Sequence, residues 1–253
     1  MLREWADAGK FGNIYHVYCS FRDFRNIPGL GGAFTTKAQS GGGVLIDWGV
    51  HFFDIVMYCC GDPEAKTVSS EAFCKLGKDI KNYAYTSMWA EDTADMNGTY
   101  DVDDSVTALI RTEGPTITVN GAWAQNLDKE EMYIDFMGDK GGIRLNYCGN
   151  FRFWTTKNGM LTETTPAYKT NDMHRCEVID FVECVAKGER NGSIGRIIAE
   201  CKDKNIVIKE VDKKKLDFMC GQGNHQGVAA WAAVHEYATV EDMLNLAKER
   251  GED

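Results

Sequence analysis

The chain reads as an α+β protein, an open and mostly antiparallel β-sheet of about six to eight strands with helices packed on one face. Three observations predict it. Between residues 65 and 156, short runs rich in β-branched and aromatic residues follow one another across turns that carry Gly or Pro, the pattern of successive hairpins. Ahead of them, Val44 to Cys60 is apolar on nearly every side at helical spacing. Behind them, Asp172 to Lys187 carries a stripe of Val178, Phe181, Val182 and Val185.

Taken in order, residues 2 to 8 read as a short helix ending at Gly9 or Gly12, and Asn13 to Phe24 as a strand rich in Tyr, Val, Ile and Phe. Arg22 to Gly32 is a turn-rich loop with arginines at 22 and 25. A glycine run, Gly41-Gly42-Gly43, leads into the apolar helix, and Asp62-Pro63 stops it. Ala65 to Phe73 begins the strands. Asp104 to Arg111 and Thr116 to Trp123, joined by Glu113-Gly114-Pro115, form a hairpin signal. Glu131 to Met137, Gly141 to Tyr147 and Phe151 to Thr156 continue it. Beyond Glu189 the character changes: Cys201 to Lys215 is lysine-rich with Ile206 to Ile208 as a brief strand, Gly221 to Asn224 is a loop, and Thr239 to Arg250 is an amphipathic helix.

The chain has 253 residues, 43% of them hydrophobic and only four of them proline, enough to bury a core. A net charge of −10 favours a small polar molecule over nucleic acid or an anionic membrane as partner. The nine cysteines are odd in number, scattered and partly within apolar segments, which reads as reduced thiols in a cytoplasmic protein. The N-terminus is too polar for a signal peptide, and no run reaches the roughly 18 apolar residues of a membrane span. No Cys/His cluster has zinc spacing. No Gly-x-Gly-x-x-Gly stands between a strand and a helix, so a Rossmann domain is not expected in this chain.

Chemistry concentrates in Ser40 to Gly61. Asp47, His51 and Asp54 lie four and then three residues apart and so share one stripe of the helix, expected to be buried. In that arrangement an imidazole exchanges a proton with a substrate hydroxyl while a carboxylate one turn away fixes its orientation and charge. The glycines and the helix N-terminus would offer backbone amides to a polar or anionic group. A core histidine satisfied by a neighbouring Asp is the structural alternative.

The run Arg25-Asn26-Ile27-Pro28-Gly29 through Phe34 and Lys37, then Ser40 to Asp54, resembles the start of the C-terminal domain of the glucose-fructose oxidoreductase/inositol dehydrogenase/rhizopine catabolism (Gfo/Idh/MocA) family. Trp5 to Ile14, Val102-Asp103-Asp104-Ser105-Val106, Gly121 to Asn126, Phe136 to Gly142 and His174 to Gly188 match in order as well. The resemblance covers about residues 2 to 190. It implies a substrate and oligomerisation domain over residues 1–190, with 191–253 an extension that does not match the family.

By the same resemblance, Asp47 and His51 are the catalytic pair. Arg25, Lys37, Trp123, Asn126 and His174 are candidate substrate contacts, with Trp123 and Asn126 as a stacking platform and amide; a solvated Arg25, a surface Lys37 and a core Trp123 are the structural alternatives. Family members oxidise or reduce sugars, inositols and related polyols with NAD or NADP. The nucleotide-binding half and its Glu-Lys-Pro lysine are not found here, so that half is expected in cis or in trans, and pairing of sheets implies a homo-oligomer. The competing functions are a non-catalytic binding or assembly subunit, and a redox-neutral isomerase or lyase using the same Asp/His pair.

Overall fold

The computed structural model describes residues 2–84, 91–168, 171–187, 192–221 and 228–230. It divides into two compact units, Met1–Lys169 and Thr170–Asp253. The boundary expected at residue 190 falls inside the second of these.

The first unit is built on one eight-stranded sheet: β1 (Ile14–Arg22), β2 (Ala65–Phe73), β3 (Ser105–Thr112), β4 (Thr116–Ala122), β5 (Glu131–Gly138), β6 (Gly141–Asn146), β7 (Phe151–Lys157) and β8 (Met160–Thr164), in the order β2-β3-β4-β1-β5-β6-β7-β8. Neighbouring strands are antiparallel, by hairpins and at the β1–β5 pair, except where β1 and β4 run parallel with Val17 beside Ile117, Cys19 beside Val119 and Phe21 beside Gly121. That pair is parallel because β1 is reached again only after the whole β2-β3-β4 meander. A Cβ on Gly121 would come 1.9 Å from the Phe21 ring, so the glycine makes room for that phenylalanine.

Alternation puts Val17, Cys19, Phe21, Ile117, Val119, Ile134 and Phe136 on one face. They pack with Phe52 and Val56 of α3 (Val50–Cys60) into the main core. The strip under α1 (Leu2–Asp7) is a second cluster of Phe11, Ile143, Phe151 and Phe153, with Trp5 edge-on to Phe151 and Phe153 at 5.4 and 5.3 Å. Arg3 of α1 donates to the Tyr58 carbonyl at 2.8 Å, fastening α1 to the C-terminal end of α3. The opposite sheet face is polar and aromatic. Tyr18 packs beside Tyr133, and Arg144 lies 4.0 Å over the Tyr133 ring while binding both oxygens of Asp135 at 2.7 and 2.6 Å.

The apolar run from Lys37 is not one helix. Helix α2 (Lys37–Ser40) ends at Gly41, whose φ of 84° suits glycine, and Gly42-Gly43 bend the chain. Leu45–Gly49 is then a π-helical turn that runs into α3. By length and composition Lys37–Cys60 does reach what a membrane crossing needs, contrary to the expectation above. Its bend at the glycines and the packing of Phe52, Val56 and Cys59 in the core are those of a helix layered on a sheet.

The second unit holds α4 (Met173–Lys187), α5 (Gly192–Asp203) and α6 (Lys213–Met219). The Asp172–Lys187 helix, expected in the sheet's helix layer, thus belongs to this unit, and its Val178, Phe181 and Val182 are exposed. Ile206 to Ile208 are exposed and form no strand, since a three-residue run without a partner has no ladder to join. Asp212 caps α6 by accepting from the Lys215 amide at 2.8 Å, a lysine-rich helix that the reading above left unassigned. Most of the Gly221 to Asn224 loop and all of the Thr239 to Arg250 helix lie outside the described residues.

Candidate active site

The site forms where the π turn meets the C-terminal end of β4. Asp47 sits within the π turn, His51 begins the next turn in α3, and Trp123 directly follows β4. Trp123 is 0% exposed, and its indole Nε1–H donates to Asp47 Oδ2 at 3.0 Å. Of the two readings of Trp123, the core one holds and the stacking platform does not. No face of that ring reaches solvent, and its polar edge is spent on holding the carboxylate, as buried indoles require.

Burial raises the Asp47 carboxyl above its usual range, opposed by the Trp123 hydrogen bond and by the charge of nearby His51. The stripe itself is not buried as expected. Asp47 is half-buried, whereas His51 and Asp54 are exposed, because α3 turns Phe52, Val56 and Cys59 inward and leaves the opposite face open. Ile46, Val50 and Tyr58 share that exposure. An exposed imidazole near a half-buried carboxylate is accessible to a substrate hydroxyl.

The glycine run works differently from the expectation that its amides face a ligand. Asp103 takes the last glycine amide and the two that follow it: its Oδ1 accepts from Gly43 N at 2.9 Å, its Oδ2 from Leu45 N at 3.1 Å, and its carbonyl from Val44 N at 3.0 Å. The approach is so close that a Cβ on Gly43 would lie 1.9 Å from the Asp103 carbonyl oxygen. The two neighbouring aspartates act alike. Asp101 accepts from Lys37 N at 2.6 Å, and fully buried Asp104 accepts from Lys75 N and Gly77 N at 2.6 and 3.1 Å. The sequence marked Asp103 and Asp104 only as part of a matching segment. The signal available was consecutive aspartates just ahead of a strand, where amide-capping carboxylates belong.

The remaining expected contacts scatter. Arg25 and Asn126 are brought together, with Arg25 Nη2 donating to Asn126 Oδ1 at 2.6 Å and Nη1 to the Phe24 carbonyl and, at 2.9 Å, to the Gln125 carbonyl. This clamp ties the loop after β1 to the loop after β4, which Asn26 N also joins by donating to the Trp123 carbonyl at 2.9 Å. Arg22 pairs with Glu131 across the polar sheet face and takes no part in the site. Lys37 is exposed at the start of α2. His174 lies in the second unit, 93% exposed and 3.9 Å from Glu177. Among the described residues no three His, Cys, Asp or Glu side chains gather as a metal set.

A family model described as the GFO/IDH/MocA C-terminal domain matches residues 1–144, more than half of the chain. The chain belongs to the Gfo/Idh/MocA family. This Gfo/Idh/MocA chain is 35% identical over 162 residues to D-glucoside 3-dehydrogenase of Escherichia coli (strain K12), a match covering 63% of the chain and 43% of that protein. It therefore spans less than half the length of that relative. Levoglucosan dehydrogenase, solved with NADH and levoglucosan, superposes with a TM-score of 0.56 at 17% identity over 76% of this chain and 54% of that one, a likeness of fold.

A separate match begins near the end of α4. A model for the substrate-binding domain of RNA 2'-O ribose methyltransferases covers residues 181–238. A putative TrmH family tRNA/rRNA methyltransferase of Staphylococcus aureus (strain COL) is 38% identical over 66 residues, 26% of each protein.

The described residues do not fit a nicotinamide dinucleotide. The helix start after Gly41-Gly42-Gly43, where a pyrophosphate would settle, presents the amides of Gly43 and Leu45 to Asp103, whose carboxylate would repel an anion.

Proposed function

We propose that residues 1–190 are the substrate-binding and proton-transfer half of an NAD(P)-dependent oxidoreductase acting on a sugar or related polyol, with residues 191–253 a separate extension. The observation that carries this is the Trp123–Asp47 hydrogen bond together with an exposed His51 whose charge acts on Asp47. During oxidation a substrate hydroxyl gives its proton to the His51 imidazole. Asp47, held by Trp123, stabilises the imidazolium through its charge one turn away. Bound NAD or NADP would supply the hydride acceptor. Its binding domain, in cis or in trans, is expected outside the described residues, since they do not fit it. The names of the relatives support a glucoside-like substrate, and the Arg25–Asn126 clamp and Lys37 are proposed as the loop positions nearest it. Pairing through the polar sheet face into a homo-oligomer belongs to the same proposal.

The test joins this chain to a dinucleotide-binding domain of the family and follows methyl glucoside oxidation with NAD+ and NADP+. His51→Ala is expected to lower kcat by about 10²–10⁴-fold. Normal turnover in that variant would refute the proton-transfer role, and oxidation by neither nucleotide would favour a binding subunit.

A second reading is favoured for the tail by its match to an RNA methyltransferase substrate-binding domain. Residues 181–238 hold nine Lys/Arg against eight Asp/Glu, so the acidity of the chain lies elsewhere and does not repel RNA from this segment. Here the segment contacts structured RNA. Salt-dependent binding of an rRNA hairpin that is lost on deleting residues 181–253 is expected. Equal binding by the deleted chain would dismiss it.

A further inference from the structure

We infer that Asp103 is a positioning residue for the site, holding the start of the π turn so that Asp47 meets Trp123 and His51 stands one turn beyond it. The inference rests on the proton-transfer reading above for its purpose, but not for its geometry.

Three contacts converge on one residue. The carboxylate of Asp103 binds the amides of Gly43 and Leu45, and its carbonyl binds the amide between them. Asp47 N donates to the Gly43 carbonyl at 3.0 Å, so the first closed turn leading to Asp47 starts at the residue that Asp103 grips. Gly43 is the only residue type that fits there, because any Cβ would strike the Asp103 backbone. A π turn is an uncommon and locally costly winding, and its register needs a fixed start. Asp103 provides that start from outside the helix.

The opposite end of the arrangement is fixed through the same strip of chain. Trp123 N donates to the carbonyl of Asp104 at 2.9 Å, so the backbone of the residue whose indole binds Asp47 is bonded to the neighbour of the residue whose carboxylate binds the start of the π turn. Asp103 and Asp104 thus set the separation between donor and acceptor in the Trp123–Asp47 bond. A displacement of Asp103 relative to Gly43 shifts Asp47 while Trp123 stays.

The experiment follows the Trp123 indole N–H of the full chain by ¹H–¹⁵N NMR, with hydrogen exchange read at that site. Asp103→Ala is compared with Asp103→Asn, which keeps one acceptor oxygen, and with Ile143→Val in the separate cluster beneath α1. Exchange at the indole is expected to accelerate by roughly tenfold or more in Asp103→Ala, by less in Asp103→Asn, and to stay as in the parent in Ile143→Val. An unchanged indole signal in both Asp103 variants overturns the inference, as does an equal change in Ile143→Val. Should Asp103→Ala not fold, Asp103→Asn decides by the same criterion. Because the signal needs no turnover, an Asp103 effect alongside normal activity in His51→Ala would leave the positioning role standing and remove the proton-transfer role.

Discussion

The indole nitrogen of Trp123 lies 3.0 Å from Oδ2 of Asp47, joining the end of a central strand to the middle of a π turn 76 residues earlier. This bond converts a core tryptophan into part of a polar site. Trp123→Phe keeps most of the ring volume but leaves a half-buried carboxylate without its donor. A loss of about 1–3 kcal/mol is expected, read as a lowered denaturation midpoint in urea.

Asp47 also gives the protein a defined pH dependence. Burial raises its folded-state carboxyl above the unfolded value, so the folded chain holds that proton more tightly. Its favourable contribution is full below the unfolded value near pH 4, and is lost as pH rises through the raised folded value. Asp47→Asn keeps an oxygen for Trp123 and has no proton to lose. Its Tm relative to the parent should be higher at pH 7 than at pH 3.5, and a difference independent of pH would contradict this.

Gly43→Ala tests the close approach to Asp103. A methyl 1.9 Å from a backbone oxygen forces the chain apart. The expected destabilisation is about 2–3 kcal/mol, whereas Gly41→Ala, with no atom near its missing Cβ, suffers only the strain of its φ of 84° at about 1 kcal/mol. Comparable Tm losses in the two variants would speak against the clamp.

The cysteines should divide by burial. Cys19 is fully buried with its thiol pushed up to about 12, while Cys148 and Cys176 are exposed. At pH 8 a thiol reagent should label Cys148 and Cys176 within minutes and Cys19 only on unfolding, as peptide mass mapping would reveal.

Much of the first unit was legible because its signals are local. The hairpin around Glu113-Gly114-Pro115 appears as β3 and β4, and the runs from Glu131 to Thr156 appear as β5 to β7. The apolar helix and its Asp47–His51 spacing were equally visible. Contacts made at long range were not. Nothing in the spacing of residues 40 to 61 indicates that a carboxylate sixty residues later occupies the amides of Gly43 and Leu45, or that Trp123 spends its N–H on Asp47. Helical periodicity likewise showed which residues share a stripe, but an all-round apolar sequence could not tell which stripe the sheet covers, and His51 lies on the open one. In the second unit the helix from Asp172 was legible from its stripe, whereas Gly192–Asp203, which opens on glycines, and the seven-residue Lys213–Met219 were not.

The most direct measurement is the steady-state oxidation of a methyl glucoside by this chain joined to a dinucleotide-binding domain, comparing parent, His51→Ala and Asp47→Asn. In His51→Ala kcat is expected to fall by about 10²–10⁴-fold, with a smaller loss in Asp47→Asn. Parent-like kcat in His51→Ala would contradict the proton-transfer role.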